Sequence, residues 1–209
     1  MNTRRGLATA LAALAPLVSQ PAGAETGSQP EWSFSGAAYT YFLHDERNYL
    51  QPTVTADRDW LHLESRYNYE SLHAVSVWMG YNFSGGDELA WEVTPMLGGV
   101  YGAATGIAPG YKGSLSWRRL ALYSEGEYII DLDDESDSFF YNWSEATFSA
   151  PEWLRYGLVT QRTRAYEADR EIQRGLLAGI SLDHVDLTAY VFNLDDSKPL
   201  VVLAAAVSF

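Results

Sequence analysis

The sequence predicts an all-β protein that folds as a closed antiparallel β-barrel of about twelve strands, with ten strands as the alternative. Short segments of alternating apolar and polar residues begin near residue 31 and run to residue 209, and this alternation is typical of half-buried strands. Clusters of Gly, Asp, Asn, Ser and Pro separate the segments, as turns do. No apolar run beyond residue 24 approaches the roughly 20 residues that a spanning helix needs, which excludes a helical membrane protein.

The first 24 residues have the layout of a secretory signal peptide. Arg4 and Arg5 precede an apolar run over 6–18, and Ala22-Gly23-Ala24 forms a small-residue cleavage site. The apolar run is too short to span a membrane and is interrupted by Pro16. The expected organisation is a signal peptide over 1–24, a short linker over 25–30 and a barrel over 31–209.

Composition excludes several classes of partner. The formal net charge is −13 at pH 7, which disfavours nucleic acid and anionic surfaces. Cysteine is absent, so an exported chain of this kind has neither disulfides nor thiolate metal sites. No glycine-rich phosphate loop appears, and no cofactor is predicted.

The connections between the predicted strands alternate in length, as they do in a membrane barrel with tight turns at one end and longer loops at the other. Residues 118–119 and 183–184 form tight connections, whereas 98–107 and 131–138 form longer ones. The strand over 49–55 contains Pro52, which suits only a sheet edge or bulge, but an even strand count requires it. The twelve predicted strands are 32–43, 49–55, 60–69, 73–83, 89–97, 108–117, 120–130, 139–148, 154–163, 172–182, 185–192 and 200–209.

Five of the seven tryptophans fall beside connections assigned to the same end of the barrel. An interfacial aromatic girdle has this distribution. Trp78 and Trp143 lie in mid-strand. The predicted girdle consists of Trp32, Trp60, Trp91, Trp117 and Trp153.

The segment LHLESRYNY over 61–69 poses the question of which strand face contacts water. The apolar face carries Leu61, Leu63, Tyr67 and Tyr69, and the opposite face carries His62, Glu64, Arg66 and Asn68. A soluble barrel packs its apolar face inside, whereas a membrane barrel turns that face to lipid. Alternation by itself leaves both arrangements open, including a soluble periplasmic binding barrel.

The final strand and the signal peptide together resemble those of bacterial outer-membrane β-barrel proteins of the porin-like kind. The segment AAAVSF places Ala205, Val207 and Phe209 on one apolar face and ends in an aromatic residue. The resemblance implies a transmembrane barrel in the outer membrane, in contact with outer-membrane lipid. It also implies that the barrel assembly machinery recognises Phe209.

With the apolar face toward lipid, the opposite face of each strand lines the lumen. In the strand over 139–148, Tyr141, Trp143 and Glu145 are assigned to the lumen, because burying a carboxylate in lipid costs more than burying the amide of Asn142 or the hydroxyl of Ser144. The predicted pore-lining residues are His62, Glu64, Arg66, Glu92, Lys112, Tyr123, Glu125, Glu127, Glu145, Arg155 and Asp186.

These luminal charges support two interpretations. They could form an internal network of ion pairs and hydrogen bonds that closes the barrel. They could instead line a narrow, weakly cation-selective channel, since acidic residues outnumber basic ones. The expected function is passive passage of small cationic or neutral solutes. The alternative is a non-conducting structural or assembly barrel associated with an envelope or exopolysaccharide system.

Neither an enzyme nor a metal site is predicted. His44, His62, His73 and His184 lack a recognisable nucleophile motif nearby, and an outer-membrane hydrolase is the alternative. The acidic segment DLDDESDS over 131–138 lacks the glycine and the terminal glutamate of an EF-hand loop. Its acids, like those at Asp45, Glu167 and Asp169, are expected to form a solvated rim.

Overall fold

The computed structural model describes residues 31–44, 46–133, 138–163 and 172–209. The predicted signal peptide and linker lie outside these residues, as do Asp45, Glu167, Asp169 and half of the acidic segment, 134–137. None of the described residues forms a helix that is long and apolar enough to cross a membrane. The strands are β1 (Ser33–Phe42), β2 (Tyr49–Arg58), β3 (Leu61–Tyr67), β4 (Ala74–Tyr81), β5 (Phe83–Gly85), β6 (Leu89–Gly102), β7 (Gly106–Trp117), β8 (Leu120–Asp131), β9 (Phe139–Ser149), β10 (Leu154–Arg162), β11 (Gln173–Leu182), β12 (Val185–Phe192) and β13 (Leu200–Ser208).

The strands form one antiparallel sheet that closes on itself. Strands that are neighbours in sequence pair with each other, except β4 and β5; β1 pairs with β13, and the pairing of β4 with β6 completes the ring. Strands β4 and β5 flank Asn82 and both pair with β6, so together they occupy one position in the wall. The wall therefore has twelve strand positions, which confirms the predicted barrel.

The prolines within strands lie where the ladder is one-sided or interrupted. Pro52 pairs with Ala38 of β1, and the pairing of β2 with β3 begins only at Thr53. Pro95 pairs with Tyr111 of β7 and lies opposite the break at Asn82. Proline cannot donate to a ladder, so a strand tolerates it at such positions. The predicted strand over 49–55, which contains Pro52, is therefore confirmed, and it extends to Arg58.

The two ends of the barrel differ in their connections. At one end, called here the turn end, the connections are 59–60, 86–88, 118–119, 150–153 and 183–184. Asp59, Arg118 and Asp183 adopt positive φ angles of 54°, 55° and 50°, as tight hairpin turns require. At the other end, called the loop end, the connections are 43–48, 68–73, 103–105, 132–138, 163–172 and 193–199.

The predicted long loop over 98–107 is wrong. Strand β6 continues to Gly102 and β7 begins at Gly106, which leaves a connection of only three residues. The glycines that suggested a loop serve packing instead, because a Cβ on Gly98 would lie 2.4 Å from the Trp78 ring. A glycine in a strand often marks such a close approach.

The outside of the barrel is apolar and the inside is polar and aromatic. Along β4, Val77 and Met79 are 56% and 62% exposed on the outer surface, whereas Ser76 and Trp78, which alternate with them, are buried. In β9, Tyr141, Trp143 and Glu145 face inward as predicted. Soluble proteins rarely expose so continuous an apolar surface. This inside-out arrangement is that of a membrane barrel and not of a soluble one.

Candidate functional site: the barrel lumen

All eleven residues predicted to line a pore have side chains on the inner face of the wall. Glu92 and Glu125 are half-buried, and the other nine are buried. Strand parity places them there, because side chains alternate between the two faces of the wall along each strand. Their inward orientation follows from the structure, whereas their lining of an open pore stays a prediction.

One group of charged side chains, here called the lumen network, consists of Asp57, His62, Glu64, Arg66, Lys112 and Glu127. His62 stands between two carboxylates: its Nδ1 lies 2.7 Å from Asp57 Oδ1 and its Nε2 lies 3.1 Å from Glu64 Oε2. Both ring nitrogens are therefore occupied by carboxylates. A histidine held in this way is oriented by its neighbours and has no free nitrogen to activate a nucleophile.

Arg66 is the centre of the lumen network. Its Nε donates to Glu64 Oε1 at 2.7 Å, and its Nη1 donates to Glu127 Oε2 at 2.6 Å. The guanidinium lies 4.2 Å from the Tyr69 ring centroid and 4.6 Å from that of Trp78. Lys112 forms a further ion pair with Glu64. These contacts join β3 to β7 and β8 across the lumen, so side chains occupy this part of the cross-section.

Aromatic side chains cross the lumen on its other side. The rings of Tyr39 and Trp143 lie 5.9 Å apart, and Trp143 meets Tyr190 edge-on at 5.1 Å. Glu145 Oε1 accepts hydrogen bonds from Trp143 Nε1 at 2.8 Å and from the Tyr190 hydroxyl at 2.9 Å. Four strands separate β1 from β9 along the shorter way round the wall. The Tyr39–Trp143 contact therefore spans much of the lumen.

Sequence reasoning missed three residues of the lumen: Asp57, Tyr69 and Glu70. Asp57 lay outside the predicted second strand, although its register opposite His62 makes it an inward residue of β2. The assignment of Tyr69 to the apolar face with Tyr67 is wrong, because β3 ends at Tyr67 and the alternation stops there. The buried Tyr69 hydroxyl donates to Glu125. Glu70 lies in the connection 68–73 and accepts a hydrogen bond from Ser76 Oγ at 2.5 Å. Burial raises the pKa of Glu70, and the nearby Arg66 opposes that shift.

Negative charge exceeds positive charge inside the described barrel. Eight carboxyl side chains face the lumen or close it, whereas the inward arginine and lysine side chains of the described residues are Arg66, Lys112 and Arg155. Buried charges are tolerated mainly when paired. Five carboxylates are thus in excess. The eight are Asp57, Glu64, Glu70, Glu92, Glu125, Glu127, Glu145 and Asp186.

The tryptophans of the predicted girdle lie at the turn end with exposed side chains. Trp32 precedes β1, Trp60 lies in the turn before β3, and Trp153 precedes β10. Trp91 and Trp117 lie on the paired strands β6 and β7 near the same end. Their place fits an interfacial belt, and their role as a girdle stays a prediction.

Phe209 lies at the seam that closes the barrel. Its backbone exchanges two hydrogen bonds with Phe34, at 2.9 and 3.0 Å, and the two rings stack at 6.3 Å. Phe209 thus lies beside β1, and its side chain is exposed. Its role as an assembly signal stays a prediction.

No protein-family model and no curated protein matches the sequence. The fold is similar to three solved structures. Omp33, an outer membrane protein of Acinetobacter baumannii, is 8% identical with a TM-score of 0.49, covering 87% of this chain and 100% of that one. OccD3 (OpdP) of Pseudomonas aeruginosa is 10% identical with a TM-score of 0.42, covering 85% and 65%. The OmpTdeltaL8 loop-deletion mutant of OmpT, an outer membrane protein of Vibrio cholerae, is 8% identical with a TM-score of 0.35, covering 86% and 98%.

The closed sheet with its apolar outside and polar inside is the arrangement of a membrane β-barrel, and the comparisons identify no subfamily.

Proposed function

We propose that this protein is an outer-membrane β-barrel that gives small cations a narrow, low-conductance path across the membrane. The excess of five carboxylates in the lumen is the observation that carries the proposal. In a water-poor interior, carboxylates that outnumber the fixed arginine and lysine side chains attract mobile cations. Anions meet the same charges as a barrier, so the path prefers cations.

The side chains that cross the lumen explain why the path is narrow. Arg66 joins Glu64 to Glu127, and Tyr39 contacts Trp143 nearly opposite it. A solute passes only when such side chains rotate away from one another, which occurs on a far shorter timescale than rearrangement of the strands. The expected conductance is therefore small, and neutral solutes pass only if they are small.

A non-conducting structural barrel is the second candidate, and the lumen network favours it. Ion pairs that bridge the wall, such as Arg66 with Glu127, stiffen a barrel by tying distant strands together. In that case the excess acids would be neutral or would hold ions without transport. Association with an envelope or exopolysaccharide system belongs to this second proposal.

Single-channel recording distinguishes the two candidates. The protein is refolded into a planar bilayer, and its reversal potential is measured under a salt gradient. We expect small discrete steps whose reversal potential indicates cation preference. Glu125→Gln together with Glu127→Gln is expected to shift that potential toward zero.

The matched control is Glu152→Gln with Asp183→Asn, which removes two charges from exposed sites at the turn end. This variant should keep the selectivity of the original chain. An inserted, folded protein that shows no steps under any voltage would refute the channel. Steps without cation preference would refute the role of the luminal acids.

A further inference from the structure

The outer, lipid-facing surface carries an unexpected polar patch on β7, β8 and β9. Tyr111, Ser124, Asn142 and Ser144 all point outward. Ser124 Oγ lies 2.9 Å from Ser144 Oγ and 3.0 Å from the Tyr111 hydroxyl. Asn142 Nδ2 donates to the Glu125 carbonyl at 2.8 Å. These groups satisfy one another, as polar groups that face hydrocarbon must.

Strands β6 to β10 form a groove of about 720 Å³ on the outer surface. Small residues on the outer face, such as Gly113 and Ala146, form its floor beside the polar patch. Bulkier outward side chains form its sides: Trp91, Val93, Leu115, Leu122 and Leu158. The exterior of a barrel is ordinarily convex, so a groove here offers a defined apolar surface at hydrocarbon depth.

Two arginines stand at the end of this groove nearer the loop end. Thr160 lines the groove. Arg162 lies two residues further along the same face of β10, and Arg174 of β11 is the direct partner of Thr160 in the sheet. Basic side chains on the lipid face are costly at the membrane midplane and tolerated near the interface. In a chain of net charge −13, a lipid-facing pair of cations is a distinct local feature.

We propose that the groove binds one acyl chain of an anionic membrane lipid, whose phosphate is held by Arg162 and Arg174. A guanidinium offers paired donors that match phosphate oxygens. The small floor residues admit a methylene chain, and the apolar sides supply its contacts. The site concerns the outer surface alone, so it does not depend on conduction through the lumen.

Native mass spectrometry of the folded protein in detergent tests the site. Phosphatidylglycerol and phosphatidylcholine with identical acyl chains are titrated separately. We expect one phosphatidylglycerol to be retained in preference to phosphatidylcholine, with the preference falling about fivefold for each arginine removed. Arg162→Gln with Arg174→Gln should therefore abolish it. The matched control, Arg47→Gln with Lys198→Gln, removes the same charge from exposed positions in the connections 43–48 and 193–199, which do not adjoin the strands of the groove, and should keep the preference.

A second variant separates the acyl chain from the headgroup. Ala146→Phe fills the floor of the groove and should weaken retention of both lipids, while the heat-dependent gel shift confirms that the barrel is folded. Equal retention of the two lipids by the original chain overturns the proposal. So does a preference that survives loss of both arginines, competition by inorganic phosphate as strong as that of the lipid, or burial of the groove in a dimer.

Discussion

Arg66 concentrates more of the lumen's interactions than any other single side chain described above. It donates to Glu64 and Glu127 and stacks between Tyr69 and Trp78. A lysine would supply one point charge at this place and would lose the fork geometry that serves two carboxylates at once. The position therefore depends on the shape of the side chain as well as on its charge.

Replacing Arg66 with glutamine should destabilise the barrel strongly. The change leaves Glu64 and Glu127 buried with less positive charge, and breaking a buried pair from one side costs about 3–5 kcal/mol. Urea-induced loss of the folded gel species would measure the change. Arg119→Gln, an exposed replacement of the same type, should change stability by less than about 0.5 kcal/mol. Equal midpoints for the two variants would contradict a central role for Arg66.

At the scale of the element, the pairing of β4 with β6 depends on a close approach between a glycine and a tryptophan. Gly98 faces Trp78 directly across the pair, and the ring fills the space that a side chain would need. The same ring lies over Arg66. A small residue in one strand thus positions an aromatic ring that supports a charged residue in another.

Gly98→Ala should cost about 1–3 kcal/mol, because an added methyl group forces the Trp78 ring or the strand to move. Gly36→Ala is the matched control. A Cβ at Gly36 would have its nearest neighbour at 3.9 Å, so this change should be neutral or slightly stabilising. Thermal unfolding of both variants in the same detergent is the measurement. A neutral Gly98→Ala would show that Trp78 is free to move.

At the scale of the whole molecule, the barrel has a polar interior that is crossed by side chains and an apolar exterior that carries the groove over β6 to β10. The interior contacts link strands that are far apart in the wall, such as β1 with β9. The side chains, and not the diameter of the backbone ring, therefore set the free cross-section of the lumen.

Trp143→Ala should enlarge the path, because it removes the ring that contacts Tyr39 and Tyr190. We expect a larger single-channel conductance, and a stability loss of about 3–5 kcal/mol for an aromatic truncation. Trp153→Ala, at an exposed site of the turn end, should leave the conductance unchanged. A Trp143→Ala barrel that folds and shows no change would place the constriction elsewhere.

The sequence by itself determined a closed antiparallel barrel and, within the strands, which side chains face inward. It left twelve and ten strands open, and the structure has thirteen strands in twelve wall positions. Side chains two residues apart along a strand share a face. Strand β9 follows this alternation too, although it carries polar residues, Asn142 and Glu145, on both faces. Only the tertiary structure decided the contacts across the lumen, since they join residues such as Arg66 and Glu127 that local patterning does not relate. It also decided that Gly98 is a packing position and not a loop, and that Asn142 is satisfied on the lipid face. Each of these depends on which strands become neighbours when the sheet closes, which is a property of the ring and not of any one strand.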